Sequence, residues 1–138
     1  MPEGRHVKAL DTNVLVRYLI ADDKDMAEKA LRLLKNAQSR HTSYLVTTLV
    51  LLETLWVLRS RYGLERGEIC EAVSRLENLS GIRLENPELI RNFLAQAREG
   101  NLELADLLIA LDAHACGAET VVTFDRKAAR SALFEAIP

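Results

Sequence analysis

At 138 residues and 49% apolar content, the chain is long enough for one domain with a substantial core and too apolar for a disordered one. Its net charge of −2 excludes a global positive field for nucleic acid or membrane, so any such partner has to be met by a local basic strip. Cys70 and Cys116 lack metal-ligand spacing and read as reduced core thiols. No long apolar stretch precedes Asp11, and the window from Tyr44 to Leu58 is too short for a bilayer and contains Glu53. The expectation is a soluble, cytoplasmic protein with no membrane association, its residues 1–138 forming one domain.

The predicted elements follow in chain order. VKAL (7–10) is a short apolar run suited to a buried strand, ending at Asp11. Asp11 can cap a helix over 13–21, and Asp22 or Asp23 another from about 24 to 37 with apolar positions at helical spacing. YLVTT (44–48) is a second strand, and LVLLETLWVL opens a helix running to about Tyr62, closed by Gly63. A helix over 65–79 is broken by Gly81 before the strand IRLE (82–85), and Asn86-Pro87 starts the next helix, which ends near Gly100. LELADLLIALDAHACG (102–117) is helical, TVVTF (120–124) is a β-branched strand ending at Asp125, and FEAI (134–137) is an edge strand. Strands alternating with helices imply a three-layer α/β/α domain around a parallel sheet of four to five strands.

This pattern delivers four carboxylates to the carboxyl edge of the sheet, where open α/β sheets bind ligands. Asp11 and Asp125 directly follow strands, and Glu53 and Asp106 lie in the first turns of helices, each within apolar sequence. Crowded carboxylates repel unless they share a cation. With oxygen donors alone and no histidine or cysteine cluster, that cation is Mg²⁺ or Mn²⁺. Such a site polarises phosphate esters and activates water, which points to phosphodiester hydrolysis.

The segments LDTNVLVRYL, LLETLWVLRSRYGLERGEI, LELADLLIAL and VVTFDRKAAR, in this order, resemble a PIN domain, and among PIN domains the VapC-type ribonuclease toxins of toxin–antitoxin pairs. The resemblance covers nearly the whole chain. It implies an endoribonuclease whose magnesium site is formed by Asp11, Glu53, Asp106 and Asp125. Asp11 and Asp106 would be the most direct ligands, with Asn13 and Thr123 as supporting polar groups. It also implies an RNA substrate, a homodimer and a VapB-like antitoxin that covers the pocket. Two positions depart from the common pattern. Glu103 stands where many relatives have an aspartate, which gives it an accessory role, and Leu107 replaces a small alanine.

Each acid also has a plainer use. Asp11 and Asp125 can be caps, Asp106 can complement a helix dipole, and Glu53 can pair with Arg17 or Arg59. Trp56 reads as core rather than as a base-stacking platform, and His6, His41 and His114 as isolated rim histidines. Arg17, Arg59, Arg61, Arg66, Arg126, Lys127 and Arg130 are candidates for a strip that tracks phosphates beside the acids. Two rival functions are an aspartyl-nucleophile phosphatase centred on Asp11 and a non-catalytic PIN-like binding module. The fold would also suit a DNA or structure-specific nuclease.

Overall fold

A computed structural model describes residues 7–138, and His6 lies outside them. Six α-helices occur among the described residues: α1 (Thr12–Ile20), α2 (Lys24–Ser39), α3 (Thr48–Ser60), α4 (Arg66–Glu77), α5 (Pro87–Glu99) and α6 (Leu104–Ala115). Four three-residue strands accompany them: β1 (Tyr44–Val46), β2 (Ile82–Leu84), β3 (Val121–Thr123) and β4 (Phe134–Ala136). The α/β class expected from the sequence is therefore present.

The helix ends follow local chemistry. Thr47 accepts from the Val50 N–H at 3.2 Å and starts α3, which ends YLVTT as a strand two residues early. Glu65 and Glu68 form a reciprocal capping box at α4, the Glu65 N–H donating to Glu68 Oε1 at 3.0 Å. Asn86 accepts from the Leu89 N–H at 3.2 Å with Pro87 in the first turn of α5, as the Asn-Pro signal implies. Gly81 adopts φ +94° where the chain enters β2, and a Cβ there would crowd the Leu34 carbonyl and the Gln38 side chain.

The strands are recorded as two parallel pairs, β1 with β2 and β3 with β4, rather than as one sheet of four to five strands. VKAL contributes a single parallel bridge from Ala9 to Leu45, the Leu45 N–H donating to the Lys8 carbonyl at 2.8 Å. Three-residue strands offer few ladder bonds, so the burial is carried by the helices. The core runs through Leu15, Val46, Leu58, Ile69, Ile90, Phe93 and Leu108, contributed by α1, β1, α3, α4, α5 and α6. A smaller cluster of Ala110, Ala128 and Phe134 sits under the segment after β3. Cys70 is buried in the main core, but Cys116, expected there too, is exposed beyond the end of α6. Among the described residues no helix is long and apolar enough to cross a membrane.

Candidate functional site

Asp11 occupies the N-cap position of α1, with extended backbone, yet its side chain makes no capping hydrogen bond. Its carboxylate is thus not consumed by the plainer use open to it. The next residue, Thr12, is buried, and its hydroxyl donates to Glu53 Oε1. That bond ties the start of α1 to the early turns of α3 across 41 positions of sequence. Glu53 itself is exposed, although it lies in the most apolar run of the chain. The amphipathic geometry of α3 explains this: Leu51, Thr54, Leu55 and Leu58 face the core, leaving Glu53 and Trp56 outside. Neither expected arginine pairs with it. Arg17 bonds Asp22 at 3.0 Å, and Arg59 donates to the Leu64 carbonyl at 3.2 Å.

Asp106, in the first turn of α6, lines a cavity of about 190 Å³ together with Glu103, Asp125, Lys127 and Arg130. Burial pushes the Asp106 carboxyl above its ordinary range, and the charges of Asp125 and Glu103 push it further the same way. Asp125 is held rigidly. Its Oδ1 accepts from the N–H groups of Lys127 and Ala128 at 2.9 and 3.2 Å, while its own N–H donates to Thr123 Oγ1 at 2.9 Å. The capping role open to Asp125 is therefore real, and it fixes the carboxylate at the cavity. Thr123 supports the acid through its hydroxyl, as an accepting group.

The structure thus gathers Glu103, Asp106 and Asp125 around one cavity, while Asp11 and Glu53 are not among its lining residues. Among the described residues no three acidic, histidine or cysteine side chains stand together closely enough to form a ligand set. The donors still suit a hard divalent ion. They are all oxygens, and Asp106 carries a repulsion that a cation would relieve. Magnesium usually takes one or two carboxylates and keeps several waters, so it needs no complete protein cage.

Of the basic candidates, Lys127 and Arg130 reach the acidic cavity. Arg59 and Arg66 line its neighbour. Arg61 and Arg126 are exposed, and Arg17 and Asn13 line a different cavity between α1 and α2. Two features escaped the sequence reading. Thr12 was hidden because a threonine beside a helix cap looks like part of the cap. Trp56, expected in the core, is 61% exposed.

Fold and site together define an α/β domain with an acidic, oxygen-donor cavity flanked by cationic side chains. A PIN domain family profile matches residues 8–132, and the chain belongs to that family, a nuclease-type fold whose members are generally metal-dependent nucleases. No curated protein matches the chain.

Proposed function

We propose that this PIN domain is an endoribonuclease dependent on Mg²⁺ or Mn²⁺, acting as the toxin of a VapBC-type pair, dimeric and cytoplasmic, with an antitoxin that covers the acids. The observation that carries the nuclease reading is the cavity that brings Asp106, Asp125 and Glu103 together beside Lys127 and Arg130, where burial and then the neighbouring carboxylates raise Asp106. Asp11, Glu53, Asp106 and Asp125 would hold the ion, Asp106 and Asp125 from the cavity they line. The ion, when bound, supplies Lewis-acid polarisation of the phosphate and a more acidic water.

The chain's own groups do the rest. Lys127 and Arg130 bind and orient the phosphate, compensating locally for the net negative charge. The Asp125 turn keeps its carboxylate fixed through two backbone donors, so no reorganisation is needed as charge develops. Thr12 orients Glu53, which is exposed and free to accept a proton from water.

The test is cleavage of a pooled single-stranded RNA library with Mn²⁺ or with EDTA. Cleavage is expected only with the ion, and Asp106→Asn and Asp11→Asn should abolish it while retaining the parental helical signal. Cleavage in EDTA, or parental rates from either variant, would overturn the assignment. A phospho-aspartate trapped at Asp11 would instead establish the phosphatase.

A further inference from the structure

Beside the acidic cavity lies a second of about 330 Å³, lined by Trp56, Arg59, Arg66, Asn101 and Glu103 over an apolar floor that includes Leu55, Ile69 and Leu104. Asn101 and Glu103 also line the acidic cavity, so the two chambers share a wall. The volume lies at the lower end of the range for small-molecule sites, about 300–1,000 Å³. We infer that this chamber receives an unstacked nucleobase adjacent to the phosphate held at the acids, with Trp56 as its stacking surface; the inference rests on the nuclease reading for its occupant.

Three observations converge on that occupant. Trp56 is 61% exposed in the second half of α3, on the side away from the buried Leu51, Leu55 and Leu58, and it borders an open cavity. An indole left in water at a cavity mouth is a stacking surface for a planar ring, and every base offers such a face. The polar rim is suited to base edges: Asn101 offers a donor and an acceptor, Glu103 offers acceptors, and both guanidiniums offer donors.

Arg66 is the second observation. Its Nε donates to the Ala97 carbonyl at 2.9 Å and its Nη1 to the Leu102 carbonyl, which pins the guanidinium in place. Its Nη2 is buried without a partner among the described residues. The pinned guanidinium gives the chamber wall a fixed positive charge beside which an anionic nucleotide chain can lie. The shared wall is the third observation. Glu103 faces both chambers, so a base in one and a phosphate in the other lie on either side of a single residue, as neighbouring parts of one nucleotide chain require.

Trp56 is the only tryptophan of the chain, so its emission reports this chamber alone. The full chain in EDTA would be titrated with a mixed-sequence 2′-O-methyl RNA hexamer and with the corresponding blunt duplex. The hexamer is expected to quench Trp56 saturably and the duplex to leave it unchanged. By anisotropy of a labelled hexamer, Trp56→Ala should bind at least about fivefold more weakly, and Trp56→Phe should stay close to the parental protein.

The inference falls if the hexamer binds without altering Trp56 emission, if it does not bind, or if Trp56→Ala binds as the parental chain does. It falls too if the emission follows protein concentration and ignores RNA, which would make this face a contact between copies. Because binding is read without metal, the two readings separate. Manganese-dependent cleavage without quenching removes the base chamber and leaves the nuclease. Quenching without cleavage removes the nuclease and leaves a single-strand binding site.

Discussion

Thr12 offers a way to separate the role of a buried hydroxyl in folding from its role at the acids. Its side chain is 6% exposed and spends its one donor on Glu53. Hydrogen bonds to charged groups are worth about 1.5–3 kcal/mol, and the exposure of Glu53 puts this one at the lower end, because water can replace the lost donor. Thr12→Val removes the bond but places a methyl group in the same buried space, returning about 0.8 kcal/mol. The net loss is about 1 kcal/mol. Thr12→Ser keeps the hydroxyl and removes one buried methyl, a loss of similar size. Both variants should therefore unfold about 4 °C below the parental protein. Their activities should diverge. Thr12→Val is expected to lower manganese-dependent RNA cleavage by about tenfold or more, the usual effect of losing a group that orients a site carboxylate, while Thr12→Ser stays close to parental. Thermal unfolding and initial cleavage rates on the same preparations give both numbers. Equal cleavage by the two variants would refute an orienting role for Thr12.

Other expectations follow from the same geometry. Because the folded protein raises the Asp106 pKa, ionising it opposes folding: its contribution is fully present below the ordinary carboxylate range and is lost as pH rises through the folded value. In EDTA at pH 7, Asp106→Asn should thus melt above the parental chain, with the gap closing as pH falls below about 4; a pH-independent gap would contradict the raised carboxyl. Mn²⁺ at a hundredfold its dissociation constant should stabilise the parental chain by about 2.7 kcal/mol and Asp106→Asn far less, read by thermal shift; equal shifts would place the ion elsewhere. Gly81→Ala puts a Cβ 3.1 Å from both the Leu34 carbonyl oxygen and Gln38 Cγ at φ +94°. It should cost about 1–2 kcal/mol in urea unfolding from the backbone alone, and an unchanged midpoint would show that the entry to β2 relaxes freely.

The helices were legible because their signals are local. Asn86-Pro87, Gly63 and the apolar spacing of 24–37 mark α5, the end of α3 and α2 within a few residues. Sheet continuity was not legible. VKAL and YLV are apolar enough for strands, but how many ladder bonds they form depends on partners distant in sequence, and β3–β4 pairs separately from β1–β2. At the site, Asp106 and Asp125 could be found from their positions in a first helical turn and after an apolar run, and Glu103 from the family resemblance. Trp56 was misread because an aromatic in LVLLETLWVL matches a core pattern by composition. Only the phase of α3, set by Leu51, Leu55 and Leu58, turns it outward. Glu53 shows the same limit from the other side: its neighbours along the chain are apolar, but its neighbours in space include a hydroxyl and solvent.

The small cluster under β3 bears on when the molecule becomes competent. Phe134 is 7% exposed and packs with Ala110 and Ala128, beneath the turn that fixes Asp125, and the Ile137 N–H bonds the Thr123 carbonyl at 3.0 Å. The acid at position 125 is therefore buttressed by residues that leave the ribosome after it. A nascent chain halted before Phe134 would hold most of the helical core yet lack the brace for one of its acids, so assembly of the cavity waits for residues 134–137.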